Sequence, residues 1–445
     1  MCLLCGVLLQ ALTIHAATTY VTQVATGQFH SIFLKSDGSL WGMGSNGSGA
    51  LGDGTTTERN IPELIVASNV TAIAAGSQHT LFIKTDGSLW DMGYNISGQL
   101  GDGTTAKSVR PEQIVSSNVT AVAAGAFYSL FIKSDGSLWA MGNDEYGQLG
   151  DGTNASILEY TNRPEMIVSS NVVAIAAKAY YSMFLKSDGS FWAMGLNANG
   201  EFGNGSTVSN NVPTEILSSN VTAISGGWQH TLFVKPDGSL WANGYNGFGQ
   251  LGDGTTTQRI VPEEIVPGDV RAINGGYEHS LFLKSGGSLW VIGENNVGQL
   301  GDGTTNDQHI PELIVTNGVT AIASEYQHNL FLKSDGSLWA MGWNKYGQLG
   351  DGTTNDQHIP ELIVPGTIPT ILGFSLSGTN VEINGANGLS GGTYFTLMSA
   401  NVAAPLNQWA TVATNVLSAS GNFTFTATNA VNLNLSQQFY ILQLQ

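Results

Sequence analysis

The sequence predicts an all-β protein, in which a seven-bladed β-propeller is followed by a small β-sandwich-like module. For residues 18–365 the prediction depends on two observations. One unit recurs seven times, and each copy contains four short stretches that are typical of strands. In residues 366–445 the repeat stops and a new alternation of apolar and polar residues begins, which indicates the second module.

The repeat is marked by a tryptophan that follows Gly-Ser-Leu or Gly-Ser-Phe in each copy. Successive tryptophans are separated by 49, 49, 53, 49, 49 and 49 residues, and the longer interval contains a four-residue insertion in the third copy. A fixed period of this length indicates a repeat architecture. The marker residues are Trp41, Trp90, Trp139, Trp192, Trp241, Trp290 and Trp339.

The second copy shows the strand pattern. Residues 69–76 alternate and are β-branched, and residues 79–84 form a second apolar run. The Asp86-Gly87 pair then predicts a tight hairpin into a third strand at 88–93. A fourth strand follows Pro111, and proline fits an edge strand or the first residue of a strand. Such four-stranded units bury both faces only by stacking radially, which predicts a propeller.

The repeated motif GxxH[ST]LFLKSDGSLWAMGxNxYGQLGDGTT…P resembles the repeat of the regulator of chromosome condensation family. The resemblance covers roughly residues 20–365 and implies a seven-bladed propeller. The eukaryotic founder is a guanine-nucleotide exchange factor that depends on a wedge protruding from one blade. A bacterial relative inhibits β-lactamases by laying an aromatic-rich propeller face over its target. This chain resembles the exported bacterial type, although no contact residue is carried over.

The first residues predict export. The apolar stretch at 1–17 resembles a signal peptide, with Ala16 and Ala17 as small residues for cleavage, although no Lys or Arg precedes it. The alternative is a disordered or buried N-terminus. Because both cysteines, Cys2 and Cys5, lie in this stretch, the mature chain would lack cysteine. We therefore expect a secreted or cell-surface protein without a transmembrane segment.

Composition limits the kinds of partner. The formal net charge is −18 with 15 Lys and Arg residues, and a nucleic-acid-binding protein would need a basic stripe. We therefore predict no nucleic-acid partner.

The motif GQLGDGTT at 98–105 could be a phosphate loop, a calcium loop or a structural turn. Its glycines persist in six other copies, and the aspartate becomes Asn204 in the fourth copy. Asn and Asp share turn-forming ability but differ in charge, so the exchange favours a turn.

Histidine recurs at one position of the repeat and alternates there with Tyr128 and Tyr181, which favours a buried structural role over a metal site. The histidines are His30, His79, His230, His279 and His328. Seven lysines recur at the end of the second strand and are expected to snorkel or to pair across a blade.

No catalytic set emerges from the sequence. Residues 42–47 fit G-x-G-x-x-G but precede no helix, and Ser390 fits G-x-S-x-G but no histidine follows it. We predict no cofactor, no metal and no enzymatic activity.

Two windows of the repeat vary between copies: one follows Ala-Ala-Gly and the other follows Met-Gly. Both carry aromatic residues, which are favoured binding anchors. Acidic neighbours at Asp144, Glu145, Glu278, Glu294 and Glu325 would suit a basic patch on a partner. The alternative is that many of these rings pack between blades. The candidate binding residues are Phe29, Tyr94, Phe127, Tyr146, Tyr180, Trp228, Tyr245, Phe248, Tyr277, Tyr326, Trp343 and Tyr346.

These observations predict a monomeric binding scaffold that recognises another protein through its variable aromatic loops. Carbohydrate or cell-wall binding is an alternative, because exposed rings also stack on sugars. Exchange-factor activity, as in the eukaryotic founder, is a further alternative.

Overall fold

The computed structural model describes residues 19–153 and 160–366, and in the C-terminal part the segments 370–377, 380–388, 393–399, 410–416, 421–428 and 439–444. Every regular element in these segments is a β-strand, which confirms the all-β prediction. The predicted signal peptide at 1–17, residues 154–159 in the stretch of the third copy that contains the insertion, and Ser390 lie outside the described residues.

Residues 21–364 form seven four-stranded antiparallel sheets, one for each copy of the repeat. The first strands are β1 (Val21–Thr26), β5 (Val70–Ala75), β9 (Val119–Ala124), β13 (Val172–Lys178), β17 (Ala223–Gly226), β21 (Val270–Gly275) and β25 (Val319–Ser324). The second strands are β2 (His30–Lys35), β6 (His79–Lys84), β10 (Tyr128–Lys133), β14 (Tyr181–Lys186), β18 (His230–Val234), β22 (His279–Lys284) and β26 (His328–Lys333). The third strands are β3 (Leu40–Gly44), β7 (Leu89–Gly93), β11 (Leu138–Asn143), β15 (Phe191–Gly195), β19 (Leu240–Gly244), β23 (Leu289–Gly293) and β27 (Leu338–Gly342). The fourth strands are β4 (Arg59–Val66), β8 (Ser108–Val115), β12 (Tyr160–Val168), β16 (Asn210–Leu217), β20 (Arg259–Val266), β24 (Gln308–Val315) and β28 (Gln357–Val364).

The hairpin between the second and third strands forms as the sequence predicts. In blade 2, Gly87 has a φ of 75° and donates its N–H to the carbonyl of Lys84 at 2.9 Å. The Asp86 carboxylate accepts the Ser88 hydroxyl at 2.5 Å, and that hydroxyl accepts the Trp90 indole N–H at 2.8 Å. The Asp-Gly-Ser-Leu-Trp stretch therefore builds both the turn and the support for its tryptophan.

The fourth strand is the outer edge of each blade. In blade 2 the fourth strand was expected to follow Pro111, but β8 begins at Ser108 and contains this proline. Its pairing with β7 shifts register between Asp91 and Gly93. Pro111 lies in this irregular stretch, where the ladder does not need its missing N–H.

Blades pack on one another through apolar clusters, and each cluster combines residues of two adjacent blades. One cluster joins Val21 and Phe33 of blade 1 to Leu330 of blade 7. The first strand of blade 1 also contacts both β25 and β26. The ring therefore closes by packing between seven complete blades, each built from one continuous stretch of chain.

Residues 370–444 contain two further three-stranded antiparallel sheets. Their strands are β29 (Thr370–Ser377), β30 (Asn380–Gly388), β31 (Thr393–Ser399), β32 (Ala410–Val416), β33 (Gly421–Ala427) and β34 (Phe439–Leu444), paired as β29-β30-β33 and β32-β31-β34. Val381, Ile383 and Ala427 of the first sheet are buried against Val412 and Ala413 of the second. This arrangement agrees with the predicted sandwich-like module. Within the described residues, no helix is long and apolar enough to cross a membrane.

Candidate functional site

The connections from first to second strands and from third to fourth strands emerge on one side of the propeller, because consecutive strands in each blade are antiparallel. We call this side the aromatic face. All twelve candidate binding residues lie in these connections, and each is half-buried. They are thus neither core residues nor fully exposed rings.

Eight of the twelve rings form a continuous row, which we call the aromatic arc. Tyr277 lies at its centre, with its ring centroid 4.9 Å from that of Trp228 and 4.8 Å from that of Tyr326. The row spans blades 3 to 7 and blade 1, and neighbouring centroids are 4.8–5.8 Å apart. Its members are Tyr146, Tyr180, Trp228, Tyr277, Tyr326, Phe29, Trp343 and Tyr346.

The other four candidates form two separate pairs. Tyr94 contacts Phe127 at 6.0 Å, and Tyr245 contacts Phe248 at 6.5 Å. The predicted set is therefore one large arc and two smaller patches.

Backbone hydrogen bonds between blades fix the centre of the arc. The N–H of Trp228 donates to the carbonyl of Tyr277 at 3.2 Å, and the N–H of Tyr277 donates to the carbonyl of Tyr326 at 2.9 Å. Because the loops of three blades are linked in this way, their rings are held in place before any partner arrives. A preorganised surface loses less conformational entropy on binding.

An ion pair crosses the central channel beside the arc. The first strands enclose a cavity of about 250 Å³, lined mainly by Ala and Ile side chains. Lys178 and Glu325 line this cavity and pair with each other, and Lys178 also donates to the carbonyl of Ser324 at 2.8 Å.

Lys178 and Glu325 occupy the same repeat position, three residues before the recurring His or Tyr. The other five blades have glycine there: Gly27, Gly76, Gly125, Gly227 and Gly276. Sequence reasoning missed this pair, although two opposite charges at an otherwise glycine position were a visible signal.

The acidic residues that we expected to suit a basic patch on a partner are mostly buried. Asp144, Glu278, Glu294 and Glu325 are buried, and Glu145 alone of the five is half-buried. The expectation was wrong in this respect because the variable loops fold inward at these positions. A partner would meet recessed carboxylates rather than a charged surface.

Glu278 and Glu294 lie close together in blade 6, where the backbone N–H of Glu294 donates to the carbonyl of Glu278 at 2.8 Å. Burial raises the pKa of Glu278 to about 8, and the charge of Glu294 adds to this increase. Burial also raises the pKa of Glu294, and Gln327, which donates to it at 3.0 Å, opposes that shift.

The model of the RCC1-like domain matches residues 8–265, which is more than half of the chain. This chain belongs to the RCC1-like family. Regulator of chromosome condensation (RCC1) repeats are also matched at 286–332 and 335–371, and a second model of this repeat matches 270–299 and 319–348. The family predicted from the repeat motif is thus confirmed. No curated protein matches the sequence.

Solved structures agree with the RCC1-like fold. Human WBSCR16 is 24% identical with a TM-score of 0.65, and the match covers 76% of this chain and 95% of that one. Prp20p from Saccharomyces cerevisiae, described with its binding to Gsp1p and histones, is 20% identical with a TM-score of 0.66, covering 78% and 88%. Yeast RCC1 (Prp20) in complex with Kap60 is 18% identical with a TM-score of 0.67, covering 80% and 91%. These identities show a shared fold.

In this RCC1-like propeller the recurring histidines form a belt of hydrogen bonds between blades. His30 contacts the Thr80 hydroxyl of the next blade at 2.9 Å, and His328 closes the belt on Ser31 at 2.9 Å. Tyr128 donates to the carbonyl of Tyr181 at 2.5 Å and so replaces histidine in the third blade. The predicted structural role is correct. Burial lowers the pKa of His30 and His279 to about 4 and that of His79, His230 and His328 to about 3.

The repeated Gly-Asp motif is a turn, as predicted. Asp102 accepts the backbone N–H of Thr104 at 2.7 Å and the Asn95 side-chain amide at 3.2 Å. In the fourth blade Asn204 accepts the N–H of Ser206 at 3.0 Å. Asparagine thus preserves the turn without the charge.

The recurring lysines lie over the marker tryptophans of their own blades. Lys84 Nζ is 3.8 Å from the centroid of Trp90, which stacks at 6.2 Å on Phe82. The equivalent contacts in the other blades are 3.6–4.8 Å. These cation–π contacts give the lysines a role within each blade. Among the described residues, no group of three or more His, Cys, Asp or Glu side chains could hold a metal ion.

Proposed function

We propose that this RCC1-like chain is an exported, non-enzymatic binding scaffold that recognises a protein partner through the aromatic arc. The observation that carries the proposal is the continuity of eight half-buried rings over six blades. Aromatic residues in ordered loops supply contact area at low conformational cost and dominate many protein interfaces.

The arrangement of the rings favours a protein over a glycan. Sugars stack on an open ring face, whereas most rings of the arc meet a neighbour edge-on or tilted. The ring edges and the ring faces that stay open form one uneven surface, which suits contact with the side chains of a protein. Yeast Prp20p has been described with protein partners, which supports protein binding by this fold without identifying a partner here.

The experiment is affinity capture with the full chain. Proteins and wall fragments from the chain's surroundings would be passed over three immobilised forms: the natural chain, an arc variant and a rim variant. The arc variant carries Trp228→Ser, Tyr277→Ser, Tyr326→Ser and Trp343→Ser. The rim variant carries serine at Ile310, Leu313, Ile359 and Leu362, which are 42–62% exposed on the outer strands.

A protein retained by the natural chain and the rim variant but not by the arc variant supports the proposal. Retention of polysaccharide alone would place the chain among glycan-binding proteins. Acceleration of nucleotide release from a small GTPase by the purified chain would overturn the non-enzymatic assignment.

Export is the part of the proposal that depends on residues 1–17. The expected result is a mature protein outside the cytoplasm whose N-terminal sequence begins at Thr18. An intact N-terminus on a cytoplasmic protein would contradict export.

A further inference from the structure

Blade 6 is unusual on the aromatic face because glutamate occupies both of its variable positions. The residue before the belt histidine or tyrosine is Phe29, Gln78, Phe127, Tyr180, Gln229, Glu278 or Gln327 in blades 1 to 7. The second variable position follows the last glycine of the third strand. In blades 1 to 7 its residues are Ser45, Tyr94, Asn143, Leu196, Tyr245, Glu294 and Trp343. Two acidic residues, Glu278 and Glu294, therefore lie in the loops of the aromatic face in a single blade.

Within the described residues, neutral amide groups alone donate hydrogen bonds to these two carboxylates. Glu278 accepts from the Gln250 amide, and Glu294 accepts from Gln299 at 3.1 Å and from Asn296 at 2.8 Å. Within the described residues the salt bridges are Arg59–Asp53, Lys178–Glu325 and Arg259–Asp253. Neither Glu278 nor Glu294 has a cationic partner among them.

Tyr277 and Tyr326 of the arc adjoin these carboxylates, and Trp343 contacts Tyr326. Tyr277 precedes Glu278 in sequence, and its ring contacts that of Tyr326, which contacts Trp343 at 5.6 Å. The pKa of Tyr277 is raised by burial and by the neighbouring Tyr326, Glu278 and Glu294. The pKa of Tyr326 is raised by burial and by Glu294.

We infer that the partner inserts one arginine side chain here, placing its guanidinium against Tyr277, Tyr326 and Trp343 and within reach of Glu278 and Glu294. The inference depends on the proposed function and names the partner chemistry at one sector of the arc. Guanidinium is the cation of choice because its plane stacks on aromatic rings and its N–H fork matches carboxylates. The carboxylates are recessed, so a long side chain reaches them better than a flat basic patch does.

The affinity for arginine at Glu278 and Glu294 should depend on pH. The buried Glu278 holds its proton at neutral pH, and a guanidinium beside it favours the ionised form. Binding therefore releases a proton, and affinity rises with pH until about 8. The titratable groups near Glu278 are Glu294, whose pKa is itself raised by Asp307, and the hydroxyl of Tyr277. His279 stays neutral over this range because its pKa is about 4.

The test uses the full chain with two probes, a blocked Gly-Arg-Gly peptide and its citrulline counterpart, which is similar in shape but uncharged. Binding is followed between pH 6 and 9 by the carboxyl signals of glutamate-labelled protein, with Glu278 assigned by its loss in Glu278→Gln. The variants are Glu278→Gln and Glu294→Gln. Glu145→Gln is the matched control, because Glu145 is a half-buried carboxylate beside another ring of the arc.

We expect the arginine peptide to bind about tenfold more tightly than the citrulline peptide at pH 8.5, with a pKa decrease of about one unit at Glu278, since one unit corresponds to tenfold. Both glutamine substitutions should remove most of this preference, and Glu145→Gln should keep it. Equal binding of the peptides, no binding of either, or an equal loss in the control would overturn the inference.

Failure of the inference and failure of the proposed function give different results. If the arc variant loses the captured protein while Glu278→Gln and Glu294→Gln bind it unchanged at all pH values, the arc binds a partner without this arginine. If the arc variant keeps the captured protein, the proposed function itself fails.

Discussion

Lys178 and Glu325 come from blades 4 and 7, occupy the same position of the repeat, and pair across the central channel. Glu325 is 6% exposed, and burial raises the pKa of its carboxyl while Lys178 opposes that shift. The pair joins the blades that carry Tyr180 and Tyr326, so it links two parts of the arc.

Breaking this pair should strongly destabilise the propeller. Lys178→Ala leaves a buried carboxylate without its cation, a change that costs about 3–5 kcal/mol in other proteins. The exchanged pair Lys178→Glu with Glu325→Lys should recover much of the loss. The measurement is the free energy of unfolding in urea, with Arg59→Ala as a more exposed ion-pair control that costs about 0–1 kcal/mol. Equal effects of Lys178→Ala and Arg59→Ala would contradict a cross-channel role.

The histidine belt should weaken in acid. The folded pKa values lie below the ordinary value of 6.5, so each histidine's contribution is complete above pH 6.5 and declines as pH falls toward about 3 or 4. His79→Tyr copies the arrangement of blade 3, where Tyr128 bridges to the next blade. We expect this variant to lower the slope of unfolding free energy against pH by about 1.4 kcal/mol per pH unit below pH 6.

The comparison requires urea unfolding of both proteins at pH 5, 6 and 7.5. Because carboxyl groups titrate in both proteins, the difference in slope isolates the histidine. Parallel curves would show that folding does not lower the pKa of His79.

The buried Asp91 should destabilise blade 2. It is buried, its Oδ1 accepts the N–H of Met92 at 2.7 Å, and its Oδ2 has no hydrogen-bond partner. Burial raises its pKa well above the usual range, and Asp102 and Glu112 add to the shift. Because the pKa of Asp91 is raised in the folded chain, its contribution to the stability of the fold is most favourable at low pH and is lost as pH rises.

Asp91→Ala should therefore stabilise the chain at pH 8 by about 1–3 kcal/mol, the cost of a buried polar group without compensation. Alanine occupies the same position in blade 3 as Ala140, and Ala140→Asp is the reciprocal control. Thermal melting at pH 5 and pH 8 should show a larger gain at pH 8. A loss of stability in Asp91→Ala would mean that the carboxyl has a partner in solution.

The Asp102 turn should tolerate asparagine and not alanine. Asparagine keeps the acceptor for the Thr104 N–H, as Asn204 does in blade 4, so Asp102→Asn should change the unfolding free energy by less than about 0.5 kcal/mol. Asp102→Ala should cost about 1 kcal/mol through the lost hydrogen bonds. Melting temperatures with calcium and with chelator should coincide. A calcium-dependent rise that Asp102→Asn removes would make the motif a metal site.

The repeat made the blades and their hairpins predictable because each turn uses local chemistry, as at Asp86-Gly87. Ring closure was not predictable, because the contact between Ser31 and His328 joins distant residues. The twelve candidate rings lie on one face, since the strand order fixes where each loop emerges. The sequence could not show which rings touch, or that Glu278 and Glu294 turn inward, because both depend on packing between blades.

The most direct test measures the dissociation constant of the captured protein for the natural chain, the arc variant and the rim variant. If the arc carries recognition, the arc variant should bind at least about 100-fold more weakly, because central aromatic residues each contribute about 2 kcal/mol or more at such interfaces. The rim variant should bind within about twofold of the natural chain, since surface changes outside the interface have little effect. Unchanged affinity in the arc variant with lost affinity in the rim variant would place the binding site on the outer strands and contradict a function for the aromatic face.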